Sequence, residues 1–317
     1  MSIQILGTGA YVPERILTND DLSRMVDTSD EWIQQRVGVR ERHVSVDEST
    51  ADMGAKAAQR ALEAAGITAD QLDLIVGATV SSDSVCPSVA ATVQQQIGAA
   101  CPAFDVNSAC SGFLFALDTA AAFVARGGIR YALVLGAERL SRIVDWADRS
   151  TCVIFGDGAG AFVIAPGENY LASHLFTQGG DSVLSIPLGK GNSPFYAREE
   201  LPLAIRMSGQ ETFKFAVKQI VGGLKLIAEQ AGITPEQFDY IVPHQANYRI
   251  IDLAARRLGI PMERFMLNLD RYGNTSSASV PISFDELARS GKLKKGDLIA
   301  MCAFGGGLSR AAALIRW

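Results

Sequence analysis

At 317 residues, with 48% hydrophobic and 20% charged side chains, the chain can bury a substantial core as one large domain or two intimate ones. Its net charge of −5 gives no overall attraction to nucleic acid, so an anionic partner has to meet a local basic patch. The five cysteines (Cys86, Cys101, Cys110, Cys152 and Cys302) are odd in number, scattered and without a C-x-x-C pair. That pattern argues against a disulfide framework and a zinc site, and for a reducing compartment.

The chain begins Met1-Ser2-Ile3-Gln4-Ile5-Leu6-Gly7, with no basic stretch before a long apolar one, so no signal peptide is expected. No apolar run is expected to span a bilayer, and a cytoplasmic protein follows. A helical stretch from Met53 to Ala65 leads into Ala65-Gly66-Ile67-Thr68-Ala69-Asp70-Gln71-Leu72-Asp73-Leu74-Ile75-Val76, which ends as an apolar strand. Next comes Cys110, in Asp105-Val106-Asn107-Ser108-Ala109-Cys110-Ser111-Gly112. Small residues, then an apolar run to Ala125, then Gly127-Gly128 predict a helix with the thiol at its N-terminus. There the helix dipole and free N–H groups favour a thiolate, hence a nucleophile. A buried structural cysteine is the alternative.

Tyr131 to Gly136 reads as a buried strand, and Gly156-Asp157-Gly158-Ala159-Gly160 follows. Those glycines lead into another strand, not a helix, so a dinucleotide fingerprint is rejected in favour of tight backbone packing. After a helical stretch from Phe213, the phrase of residues 65–76 returns at 231–242, with two thirds of its positions identical. Val242-Pro243-His244-Gln245-Ala246-Asn247 then sets His244 just past a strand and ahead of a helix from Tyr248. It is one of three histidines, and a satisfied structural imidazole is its plainer reading. Gly273-Asn274-Thr275-Ser276 offers an amide donor or an Asx-turn. Leu298 to Ala303 is a last buried strand before Gly305-Gly306-Gly307, whose bare backbone can aim an N–H at an oxyanion. Apolar strands alternating with helices indicate sheets covered on both faces, and the repeat indicates two similar halves, residues 1–170 and 171–317.

Cys110 in Ser-Ala-Cys-Ser-Gly-Phe, His244 in Pro-His-Gln-Ala-Asn, Asn274 in Gly-Asn-Thr-Ser and Phe304-Gly305-Gly306-Gly307 together resemble β-ketoacyl-[acyl-carrier-protein] synthase III. Asp27 to Ile33 and Phe155 to Gly160 also match, so the resemblance spans nearly the whole chain. It implies the thiolase-like fold, a duplicated five-layered α-β-α-β-α architecture of the α/β class, usually a homodimer. It further implies an acyltransferase that condenses an acyl-CoA primer with malonyl-[acyl-carrier-protein] to start type II fatty acid synthesis. Cys110 would carry the acyl group, with the N–H groups of Cys110 and Gly306 as oxyanion hole and His244 and Asn274 as enolate donors. Coenzyme A would meet Trp32 and Arg36 as an adenine clamp, with Arg149 and Asn247 as further contacts. Lys214, Arg249, Arg256 and Arg257 would receive the acidic carrier protein. Neither metal nor dissociable cofactor is implied, coenzyme A entering only as substrate.

Two positions depart from the family pattern. Ser309-Arg310 stands where Thr-Trp is usual, and Cys86 stands where a Phe commonly shapes the acyl pocket across the dimer interface. The smaller Cys86 suggests room for a primer longer than acetyl. Alternatives are a specialised synthase III-like enzyme making a polyketide starter, a cysteine hydrolase, and a non-catalytic binder of coenzyme A or carrier protein.

Overall fold

The computed structural model describes residues 2–188, 192–195, 197 and 201–317. Its first half runs β1 (Ser2–Tyr11), β2 (Ile16–Thr18), α1 (Asn19–Ser23), α2 (Asp30–Arg36), β3 (Glu41–His43), α3 (Thr50–Ala65) and β4 (Leu74–Ala78). It continues through α4 (Val89–Ile97), β5 (Ala103–Val106), α5 (Gly112–Arg126), β6 (Ala132–Glu138), α6 (Arg149–Cys152) and β7 (Gly158–Gly167). The second half opens with β8 (Tyr170–Gly180), β9 (Leu184–Ser185), β10 (Arg206–Met207), α7 (Gly209–Gln230), β11 (Tyr240–Pro243) and α8 (Tyr248–Leu258). It closes with α9 (Leu269–Tyr272), α10 (Ser279–Arg289), β12 (Leu298–Gly305) and β13 (Gly307–Arg316).

The duplication is explicit in the strand order. The first sheet is β1-β7-β6-β4-β5 and the second is β11-β12-β13-β8. Strands β4 and β6 pair in parallel, as do β11 and β12. Antiparallel neighbours follow in both sheets: β7 and β1 in the first, β13 and β8 in the second. Each copy of the repeated phrase builds the same device. A one-turn helix is closed by a reciprocal Thr–Gln capping box, Thr68 with Gln71 or Thr234 with Gln237, and the chain enters β4 or β11.

Period-two alternation assigns each strand face to a layer. Leu74 and Val76 face α5 and α10, whereas Ile75 faces α3 and α4. The second sheet repeats the pattern, with Met301 turned to the central helices and Ala300 to α7 and α8. Five layers result: α3/α4, sheet, α5/α10, sheet, α7/α8. Phe113 of α5 meets Phe162 of β7 edge-on at 4.8 Å, and Phe162 meets Phe284 of α10 at 4.8 Å. Burying each such side chain contributes about 1.5–3 kcal/mol.

Residues Ala109–Arg126 are long and apolar enough by composition to cross a membrane, contrary to the expectation that no run is. In the fold this segment is the central-layer helix, packed between two sheets, which explains its apolar surface. Helix α10 belongs to the second half yet lies on β7 and β1 of the first. Thr8 donates to Asp285 at 2.6 Å, and Arg289 pairs with Asp285 while donating to the Thr8 carbonyl at 3.1 Å. The approach is close enough that a Cβ on Gly160 would sit 2.7 Å from Pro281 Cβ. Tight packing, not phosphate binding, is the use of that glycine run.

Arg310 is accommodated where the family pattern has an aromatic. It is buried on β13, donates to Gln219 at 2.9 Å, reaches His174 Nδ1 at 3.1 Å and lies over the Phe176 ring at 5.2 Å. The two glycines of α7 make the room, since a Cβ on Gly223 would touch Arg310 Cδ at 3.2 Å.

Candidate active site

Cys110 sits in a tight turn, Ala109–Ser111, that feeds directly into α5. The matching turn in the second half, Ser276–Ala278, feeds α10. Both begin on a residue with positive φ, Ala109 at 48° and Ser276 at 50°. Non-glycine residues hold that conformation at a cost of about 1–3 kcal/mol, and such strain concentrates at functional sites. The tip of β12 presses on the first turn: a Cβ on Gly305 would lie 2.6 Å from the Cys110 nitrogen. Gly305→Ala is therefore expected to push the nucleophile out of line and slow its acylation about 10²-fold, the usual cost of roughly 1 Å of misplacement. Time-resolved intact mass of the acyl adduct measures this.

Cys110, His244, Asn274 and the backbone of Gly305 and Gly306 line one cavity of about 810 Å³. That is the size of a pocket for a small organic ligand. A smaller cavity of about 200 Å³, walled by Ile3, Leu117 and Trp317, has no cysteine or histidine in its lining.

Burial pushes the Cys110 thiol up to about 12, and the buried carboxylate of Glu138 adds to the rise. The Ser276 hydroxyl acts in the opposite direction. The helix N-terminus is where the sequence placed it, and desolvation is the largest influence on the thiol. The resting nucleophile is a thiol, not the expected thiolate.

His244 follows β11, and its N–H donates to the Cys302 carbonyl of β12 at 2.7 Å. The ring is buried against Phe304, with centroids 5.4 Å apart, and burial pushes its pKa down to about 3. It is a neutral imidazole. The Ser279 hydroxyl lies 2.6 Å from Nδ1, and its oxygen takes the Gln245 N–H at 3.4 Å. Among the described residues the hydroxyl proton has no other acceptor within reach, so it goes to Nδ1. The hydrogen-bond network thus assigns the ring proton to Nε2.

Asn274 is pinned by main-chain bonds to the first half: its N–H donates to the Ile154 carbonyl at 2.9 Å, and its carbonyl accepts from Gly156 at 3.1 Å. Its side-chain Oδ1 accepts the Ser276 N–H at 2.8 Å, an Asx-turn. That bond takes the amide oxygen and leaves the NH₂ as the free end. The plainer reading of Gly-Asn-Thr-Ser and the chemical one are both present in a single side chain.

Of the remaining candidates, Asn247 alone belongs to the lining of this cavity. It caps α8 by accepting from Arg249 at 2.9 Å, and donates to the Arg36 carbonyl at 3.0 Å. Arg149, next to the cavity-lining Ser150, stacks over the Trp32 indole at 4.9 Å. Trp32 and Arg149 therefore form one stacked pair. Arg249 reaches over Phe213, another lining residue, at 5.8 Å, which brings it to α7 beside Lys214. Lys214, Arg249, Arg256 and Arg257 are all exposed, while Ile250, Ala254 and Leu258 on the other face of α8 are buried. Arg256 shares its charge with Asp252. Cys86 is exposed and also outside the cavity lining; its neighbour Val85 lines the wall instead. Sequence reasoning missed Ser276, Ser279 and Glu138, because an isolated serine or glutamate carries no signal of what it will face.

Comparison with known proteins agrees with the geometry. The family model described as 3-Oxoacyl-[acyl-carrier-protein (ACP)] synthase III matches residues 104–179, and its C-terminal counterpart matches residues 228–317. Beta-ketoacyl-[acyl-carrier-protein] synthase III of Clostridium acetobutylicum is 49% identical, covering 100% of this chain and 99% of the relative. The crystal structure of 3-oxoacyl-[acyl-carrier-protein] synthase III from Aquifex aeolicus superposes with a TM-score of 0.94 at 44% identity, covering 99% of this chain and 100% of that one. A priming β-ketosynthase from the R1128 polyketide pathway superposes at 0.91 with 35% identity, covering 99% and 96%. With identity this high over its full length, and with cysteine, histidine and asparagine meeting in one cavity, the chain belongs to the β-ketoacyl-[acyl-carrier-protein] synthase III family.

Proposed function

We propose that the cavity joins an acyl-CoA primer to malonyl-[acyl-carrier-protein] through an acyl-Cys110 intermediate. The observation that carries this is the meeting of Cys110, neutral His244, Asn274 and the Gly305-Gly306 backbone around one cavity. The Cys110 sulfur attacks the thioester carbonyl, and its proton leaves with the departing CoA sulfur. The N–H groups of Cys110 and Gly306 stabilise the tetrahedral oxyanion. In the second stage the malonyl carboxylate leaves as CO2, and its bonding electrons pass into the thioester enolate. That oxygen needs donors rather than a base, which suits Nε2–H of His244 and the NH₂ of Asn274. The enolate carbon then attacks the acyl-cysteine carbonyl, and the carbon–sulfur bond breaks. The 3-oxoacyl product leaves on the carrier, and the thiolate recovers a proton.

Trp32, Arg36, Arg149 and Asn247 would hold coenzyme A, and Lys214, Arg249, Arg256 and Arg257 would steer the acidic carrier. Cys86 would widen a partner subunit's pocket in a homodimer. The reaction would use no metal or dissociable cofactor, and its setting would be the cytoplasm.

Intact mass after adding acetyl-CoA or longer acyl-CoAs tests the chemistry. An adduct on the wild type but not on Cys110→Ala, discharged as a 3-oxoacyl product by malonyl-[acyl-carrier-protein], is expected. An adduct that decays in buffer alone would overturn this in favour of a hydrolase. Ranking the primers also settles Cys86: acetyl turning over far better than four- to eight-carbon acyl groups would end the idea of a widened pocket.

A further inference from the structure

Glu138 is a wholly buried acid whose part in the chemistry above is so far only to add to the rise of the Cys110 pKa. It ends β6, has no exposed surface, and is absent from the cavity lining, so it touches no substrate. Burying a carboxyl group is costly unless its oxygens are satisfied. Here they are satisfied from two directions. From the first half, Oε2 accepts from the Ser81 hydroxyl at 2.5 Å, the Val80 N–H at 3.1 Å and the Thr79 hydroxyl at 3.2 Å. From the second half, the Ser277 hydroxyl lies 2.7 Å from Oε1, and the Ser277 N–H lies 3.5 Å from it.

The first group reaches the cavity through Thr79 and Val80, which line it; Ser277 lies outside the lining, next to the lining residue Ser276. Ser277 follows Ser276, whose N–H fixes the Asn274 side chain at 2.8 Å. The single Ser277 hydroxyl proton is shared between Glu138 and the Ala78 carbonyl, 3.0 Å away, so the turn sits against the ends of β4 and β6 together. Strand and turn touch directly: a Cβ on Gly136 would lie 2.6 Å from the Ser277 carbonyl oxygen. Ser276 holds a positive φ, which a non-glycine residue keeps only where its surroundings fix it.

We infer that Glu138 is a positioning residue for Asn274: through Ser277 it holds the turn that aims the Asn274 amide into the cavity. The inference rests on the reading of Asn274 as an enolate donor. A hub acting this way affects the step that uses Asn274 and spares the step that does not.

The test is a double-mutant cycle on the full-length enzyme, with Ser277→Ala, Asn274→Ala and both together. Two rates are read: Cys110 acylation by acetyl-CoA, and kcat for condensation with malonyl-[acyl-carrier-protein]. Ser277→Ala is expected to lower kcat about tenfold through a misaimed donor, with acylation and the malonyl KM changed less than about twofold. In the Asn274→Ala background it is expected to cost less than about twofold more, because its effect passes through a side chain already removed. Should Ser277→Ala fold poorly, the kcat arm of the same cycle with Glu138→Gln gives the same reading from the other end of the bond; its acylation rate is read separately, since loss of the charge also relieves the rise in the Cys110 pKa. An unchanged kcat in Ser277→Ala overturns the inference, as does an equal loss with and without Asn274. A wild-type kcat in Asn274→Ala alone would remove the donor role itself, and this inference with it.

Discussion

His244→Ala and Asn274→Ala are each expected to lower condensation at neutral pH about 10²–10³-fold, the usual cost of losing one preorganised oxyanion donor. Cys110 acylation should survive in both, since the N–H groups that serve that step come from the main chain. The two stages can be read separately, by intact mass for the acyl adduct and by release of CO2 from malonyl-[acyl-carrier-protein]. The pH dependence carries a further sign. The active imidazole is the neutral one, and burial holds its pKa down to about 3. Protonation would put a proton on Nδ1 and break the bond it accepts from Ser279, and it sets in only as pH falls toward that value, so the condensation rate should show no histidine limb near pH 6.5. An acid limb near 6.5 in the wild type, absent from His244→Asn, would mean the ring titrates as an ordinary surface histidine. The electrostatic reading would then fail.

Alkylation of Cys110 by iodoacetamide is expected to accelerate about tenfold per pH unit from about pH 6 to about pH 10, with no plateau, because only the thiolate reacts. The cause is the thiol pKa near 12, set by burial and reinforced by Glu138. Below that value each pH unit multiplies the thiolate fraction by ten. Cys86 is exposed and reacts too, so the rate has to be read by peptide mapping or in a Cys86→Ala background. Ser276→Ala should lower the rate further, since the hydroxyl opposes the rise in pKa. A plateau at about pH 7–8 would mean that the helix N-terminus prevails over desolvation. For the reaction, a protonated resting thiol means attack and proton loss are coupled. It also guards the nucleophile against oxidation while no thioester is bound.

Much of the fold is legible in the sequence because it rests on local signals. The twelve-residue phrase shared by residues 65–76 and 231–242 contains its own cap, turn and strand, so its recurrence exposes the duplication directly. Gly127 stops α5 as its position predicts. The site is legible in its residue types, with Cys110, His244 and Asn274 each at an element boundary. Their electrostatics are not legible. Burial of Cys110 depends on β12 and on the Ser276–Ala278 turn, more than 160 residues away along the chain. The tautomer of His244 depends on Ser279, which nothing in the phrase Ser-Ala-Ser-Val marks as its partner. Arg310 is a similar case: its fit depends on Gly222 and Gly223, adjacent residues of α7 roughly ninety positions away that carry no local signal of their partner.

The placement of α10 has a consequence for how the chain comes off the ribosome. The first sheet is complete once β7 has emerged at Gly167, yet the helix that covers part of its inner face ends at Arg289 of 317 residues. Until then Phe162 and its apolar neighbours wait for Phe284. Vectorial synthesis therefore leaves an apolar surface open for more than a third of the chain, the condition under which nascent chains aggregate or recruit chaperones. Duplicated halves that exchange a helix in this way cannot be completed one after the other, and folding has to finish in both at once.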